Sequence, residues 1–266
     1  MNVQAQVARP PTSLPSFPSA KDQVSEAEWD ARVDLAASYR LVAYHGWDDM
    51  LSTHISARVP DERDSMLLSP YGLLFGQVTA SSLVKVRISD GQVLNQSPLR
   101  MNPAAINIHA GVLRARDEAM SALHLHTVAG VAVSSLKDGL MPLNQRACYF
   151  GPHNTAYHGY EGIATEASEQ ESLARDLGDK WVMFLRNHGT LTLGRTVAQA
   201  FVSAFFLERA CQMQVATLSM GQPVTVLPPE LVTLVADQAK HVRHWGRMEW
   251  PALLTLLRQV NPGFDI

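Results

Sequence analysis

The 266-residue sequence predicts one layered α/β domain, because strand-like and helix-like segments interleave from residue 25 onward with no linker in the middle. Three kinds of signal carry this. Apolar and polar residues alternate in short runs, side chains that cap helices stand before apolar stripes, and glycines follow those stripes. With 46% hydrophobic residues, the chain has enough apolar mass for one sizeable core.

Residues 1–22 are rich in Pro, Ser and Gln and are expected to form a loose arm. The domain proper is expected over residues 23–225, with residues 226–266 forming C-terminal helices packed on or extending it. Ser25 and Glu28 form a capping box that opens the first helix, and Gly46 marks its exit. Thr53, Ile55, Ala57 and Val59 alternate with polar neighbours, as do Val84, Val86 and Ile88 before an Asp90-Gly91 turn, so both segments read as strands. Asn102 followed by Pro103 starts a helix whose buried stripe is Ala105, Ile108, Val112 and Leu113. A strand from Ser121 to His126 comes next. Ser168 with Glu171 predicts another helix start, Trp181 to Arg186 another strand, and Thr196 with Gln199 a long helix running toward Gly221. Pro228 and Pro229 separate it from two shorter helices.

A net charge of -3 leaves no basic surplus for a phosphate backbone or an anionic bilayer, so neither nucleic acid nor membrane is expected as a partner. Cys148 and Cys211 are the only cysteines and stand in unrelated contexts. No disulfide framework follows. The N-terminal region lacks an apolar leader, and a cytoplasmic location is the expectation.

His124 and His126 carry the chemistry. A period of two sends both imidazoles to one strand face, with Leu123 and Leu125 on the other, a spacing that suits two metal ligands. The alternative is one buried hydrogen-bonded histidine beside one half-exposed histidine. His188, in Asn187-His188-Gly189, is either a third ligand or a turn residue.

Residues 122–127, read as Ala-Leu-His-Leu-His-Thr, and residues 185–192, read as Leu-Arg-Asn-His-Gly-Thr-Leu-Thr, resemble the paired metal motifs of class II aldolases. The likeness extends to residues 55–58, residues 67–75, residues 107–109 and residues 157–162, which are similar to the adducin-like branch. It covers about residues 25–225. The resemblance implies a three-layer α/β/α fold with a central, mainly antiparallel sheet of nine strands. It also implies a homotetramer and one divalent metal ion per chain on His124, His126 and His188. Zinc is the first choice, with manganese or iron next.

The same resemblance exposes departures. Sugar-phosphate aldolases of this family hold phosphate on small donors, where this chain has Thr53 and His54, Tyr71 and Gly72, and Pro103 and Ala104. The position of the family's catalytic glutamate is Ala105. Substrate contacts are therefore expected from His54, Ser69, Tyr71, Gly72 and Asn187, with a packing role as the alternative for Tyr71. His109, one helical turn after Ala105, is the candidate catalytic residue, as base or further ligand, against a purely structural role. Tyr157, His158 and Tyr160 either line the pocket or pack a loop. The function implied is a metal-dependent lyase that breaks a carbon-carbon bond, by retro-aldol cleavage or decarboxylation, in a small non-phosphorylated hydroxy or keto acid. Two alternatives stand beside it: a non-catalytic module like the adducin head, and a non-haem iron oxygenase.

Overall fold

Seven strands pair into one sheet in the computed structural model, which describes residues 13–162, 167–242 and 245–266. In chain order they are β1 His54–Val59, β2 Glu62–Leu68, β3 Val84–Arg87, β4 Ser121–Leu125, β5 Thr155–His158, β6 Val182–Leu185 and β7 Gly189–Gly194. Across the sheet the order is β3-β2-β1-β4-β7-β6-β5, and every neighbouring pair is antiparallel except β5 with β6. The sheet is thus mainly antiparallel as expected, with seven strands among the described residues rather than nine. After the Asp90-Gly91 turn the chain meets β3 through a single bridge, Val86 with Val93, and Pro98 soon removes a backbone donor.

The helices are α1 Glu26–Tyr44, α2 Pro103–Ala115, α3 Val128–Ser134, α4 Gln145–Cys148, α5 Ala167–Leu177, α6 Val197–Ser219, α7 Pro229–Val242 and α8 Glu249–Val260. Alternation along the strands sorts them into layers. Ile55, Ala57, Leu123 and Leu125 face Leu35 of α1, Phe201 of α6 and Leu257 of α8. Met66, Val86, Ala122 and Leu191 face Ile108 and Val112 of α2 and Leu173 of α5. The result is the three-layer α/β/α arrangement.

Local signals explain most helix starts. Asn102 accepts from the Ala104 N–H at 3.1 Å and Thr196 from the Gln199 N–H at 3.0 Å. Ser25 accepts from the Glu28 N–H at 3.1 Å, but Glu28 does not close the box. Its carboxylate is buried and turns to Arg32 and Lys85, because a buried anion needs cations more than a backbone donor. α5 begins at Ala167, so Ser168 lies inside the helix instead of capping it, and its side chain is outside the described residues. Of the expected loose arm, residues 1–12 are outside the described residues, whereas Phe17 packs on the core and the Ala20 N–H donates to Ser81. At the other end, Arg40 holds the carbonyls of Pro262 and Gly263, and Phe264 is buried.

Tyr39 ties α1 to the strand that begins the site. Its hydroxyl donates to the Ile55 carbonyl at 2.5 Å and accepts from the N–H groups of Ile55 at 2.9 Å and Ser69 at 3.3 Å. Tyr39→Phe is expected to lower unfolding free energy by about 1–3 kcal/mol in urea melts, since it strands buried backbone groups. A neutral result would show that this hydroxyl does not hold β1 in place.

Candidate metal centre

His124, His126 and His188 come together at the C-terminal end of β4. One ring nitrogen from each lies within 4.8 Å of the others. His124 is in register with His54 on β1 and with Leu191 on β7. β4 ends at Leu125, one residue earlier than the sequence predicts, because Thr127 already caps α3 and accepts from the Gly130 N–H. Thr127 in turn donates to the buried carboxylate of Glu208 on α6 at 2.5 Å, which fixes the chain just after His126. His188 stands in the β6–β7 turn. Asn187 before it takes φ +58°, the left-handed region an Asn tolerates, and Gly189 after it lets β7 press onto β4. A Cβ at Gly189 would lie 2.4 Å from the Leu125 carbonyl oxygen and 3.0 Å from the His126 ring.

Hydrogen bonds assign the ring protons. His124 Nδ1 lies 3.1 Å from the Thr190 carbonyl oxygen, which can only accept, so that nitrogen carries the proton. His126 Nδ1 likewise donates to the Asp49 carboxylate at 3.0 Å. With both rings neutral, both Nε2 atoms present lone pairs, and they face each other at 3.0 Å. Protonation is a poor remedy for that repulsion. Burial first, then the neighbouring His54, His188 and His126, hold the His124 pKa well below its ordinary value. Burial, followed by His126 and His158, lowers that of His188 to about 4. Clustered imidazoles, with the outer nitrogens of His124 and His126 already engaged, are a donor set that a divalent metal takes, so these residues fit the ion that the family implies.

Beside the triad, His54 Nδ1 lies 2.9 Å from His109 Nε2, and His109 Nδ1 lies 2.6 Å from the Ser56 hydroxyl. His109 is wholly buried and does not border the cavity. The expected catalytic His109 is thus moved one layer back: the β1 strand interposes His54 between α2 and the triad. Burial lowers the pKa of His109 to about 3 and that of His54 well below its ordinary value.

A cavity of about 570 Å³ opens over these groups. His54, Tyr71 and the three clustered histidines line it, with Met101, Pro103 and Ile108 as apolar wall. Ser69, Gly72 and Asn187 do not line it. Ser69 and Ala105 border a separate pocket of about 20 Å³ beneath His54. Gly72, at φ +127°, shapes the loop, and exposed Asn187, at φ +58°, turns the chain. Tyr160 borders the cavity, with its ring centre 6.4 Å from that of His188. Tyr157 instead stacks on Phe184 and accepts from the Leu140 N–H, and His158 is buried against Asp176. Arg100 and Asp49 were missed. Arg100 lines the cavity with its guanidinium over the Tyr71 ring, 5.9 Å from the centre. Neither carries a motif, and Asp49 reaches His126 across 77 positions of sequence.

Fold and site together define an α/β/α domain of the aldolase type whose three clustered histidines could hold a metal ion. Residues 33–215 match the Class II Aldolase and Adducin N-terminal domain, and the chain belongs to that family. It is 48% identical to a protein of Caulobacter vibrioides provisionally named as an aldolase class 2 protein, over 95% of this chain and 98% of that one. It is 41% identical to Mus musculus alpha-adducin, over 72% of this chain and 26% of the adducin. The crystal structure of an aldolase II superfamily protein from Pseudomonas syringae superposes with a TM-score of 0.88 at 43% identity, covering 94% of this chain and all of that one.

The depressed histidine pKa values set a stability profile for the metal-free protein. An unfolded histidine titrates near 6.5, whereas His188 waits until about pH 4 and His109 until about pH 3. Between those limits the unfolded chain binds more protons. Stability is therefore complete above about pH 6.5 and is lost as pH falls toward 3. In chelator-treated protein, urea midpoints should drop from pH 7 to pH 5, and His109→Gln should shrink that drop. An identical drop in the variant would mean that His109 is not the buried neutral group described.

Proposed function

We propose that this chain is a metal-dependent lyase that cleaves a carbon-carbon bond, by retro-aldol reaction or decarboxylation, in a small non-phosphorylated hydroxy or keto acid. The observation that carries it is the pair of imidazole lone pairs 3.0 Å apart, joined by His188, on the wall of the 570 Å³ cavity. One divalent ion would be held by His124, His126 and His188, with zinc ahead of manganese and iron. When bound, it supplies a Lewis acid for the charge left as the bond breaks.

The other roles fall to the chain's own groups. With the Ser56 hydroxyl donating to His109 and His109 Nε2–H donating to His54, His54 keeps its proton on Nε2 and offers it to a substrate oxygen. Arg100 is a planar cation on the cavity wall, suited to a carboxylate. Met101, Pro103 and Ile108 suit a carbon skeleton. The reading extends to a homotetramer, which light scattering measures; a monomer at micromolar concentration would remove the subunit interface from it.

The adducin likeness favours a second reading, a non-catalytic binding module. Metal content separates the two. Purified protein should carry one ion per chain, and His126→Ala should lose it on dialysis against a chelator without loss of fold. Full retention by the variant would remove the three-histidine site.

Substrate class is tested by competition among a sugar phosphate, its unphosphorylated sugar and hydroxy-aromatic carboxylates. The acids should bind most tightly, and His54→Ala should cost about 1–3 kcal/mol, the range for a charge-assisted bond. Tightest binding of the sugar phosphate, unaffected by His54→Ala, would restore a sugar-phosphate aldolase despite Ala105.

A further inference from the structure

Two of the three clustered histidines have their outer nitrogens fixed by protein groups, His124 by the Thr190 carbonyl and His126 by Asp49. Histidines that hold a metal almost always donate their second N–H in this way, to a carbonyl, a carboxylate or a water. Among the described residues, no protein group hydrogen-bonds the His188 ring. A further small cavity of about 10 Å³ borders that ring, lined also by His158, Tyr160, Glu161, Arg186, Ile108 and Leu185. That is about the room one water needs.

The far wall of this cavity is built for a hydrogen bond. His158, the last residue of β5, is 3% exposed, and its Nδ1 lies 2.7 Å from Asp176 Oδ2 on α5. A carboxylate accepts, so Nδ1 carries a proton, and in the neutral ring Nε2 is left as an acceptor. That Nε2 is buried with no partner among the described residues. Buried ring nitrogens are rarely left so. The second wall residue, His188, stands close enough that His158 helps to hold its pKa down.

We propose that a single buried water joins His188 to His158, making His158 and Asp176 positioning residues for the third metal ligand. The outer N–H of His188 donates to the water oxygen, the water donates to His158 Nε2, and His158 Nδ1–H donates to Asp176. Each of these three bonds pairs one donor with one acceptor. The carboxylate then polarises His188 from a distance, as Asp49 does His126 directly. All three rings of the triad are thereby held in one tautomer each. The inference rests on the reading of the triad as a metal site.

The test compares zinc affinity of the full-length wild type with that of His158→Leu, His158→Gln and His126→Ala, by competition with a chromophoric chelator. Leucine fills the space but cannot accept from a water, whereas the glutamine amide can both accept and donate. His158→Leu should weaken zinc binding roughly 10–100-fold, with His158→Gln staying within a few-fold of wild type. Zinc held as tightly by His158→Leu as by wild type, while His126→Ala loses it, would overturn the water link and leave the triad intact. No zinc binding by wild type would overturn both. If His158→Leu does not fold, nitrogen-15 correlation spectra of the wild type decide. The Nδ1–H tautomer of His158 is expected, and the Nε2–H tautomer would refute the chain of bonds.

Discussion

Two imidazole lone pairs face each other across 3.0 Å at the end of β4, and much of the surrounding structure keeps them there. Left free, the rings would rotate apart or share a proton. The Thr190 carbonyl and Asp49 prevent rotation, and burial with neighbouring histidines disfavours protonation of His124. Backbone geometry adds its own constraint. Thr127 and Glu208 fix the exit from His126, while Gly189 allows β7 to lie where a Cβ would collide with the Leu125 carbonyl. A divalent cation would fit between nitrogens already brought this close, and α6, α3 and β7 all help to hold the chain that carries them.

The layered fold was legible because its signals are local. Capping residues and period-two alternation act within a few positions, and α2, β4 and α6 begin where Asn102, Ser121 and Thr196 indicate. Strand count was less so, since it depends on whether residues near Val93 find enough partners, a question of long-range pairing. The triad was also legible: His124 and His126 share a strand face, and His188 follows a motif that resembles the family's. What the sequence hid are side chains whose role depends on distant contacts. Glu28 reads as a box residue until Lys85 arrives beside it, and Asp49 and Arg100 have no pattern at all.

His109 shows the same limit in a sharper form. Helical spacing from Ala105 places it near the expected carboxylate, but spacing along one helix says nothing about what another element inserts in front. β1 puts His54 there, and His109 becomes the second of three linked groups running from Ser56 to the cavity. Residue 105 itself is an alanine, where the family resemblance leads one to expect a glutamate. Where a glutamate would be anionic and could take a proton, the wall presents the imidazole of His54, whose pKa burial holds well below the ordinary range.

That change bears on the chemistry within the proposed reading. A neutral N–H stabilises a developing oxyanion but cannot remove a proton from a substrate hydroxyl. Retro-aldol cleavage asks for both, an electron sink and a group that takes the hydroxyl proton. Loss of carbon dioxide asks only for the sink and for a donor to the oxygen that gains charge. Ala105 offers no carboxylate, and His109 is sealed behind His54. Between the two cleavages, the groups that border this cavity are therefore better matched to decarboxylation of a keto acid, with Arg100 placed to hold whichever carboxylate the substrate keeps.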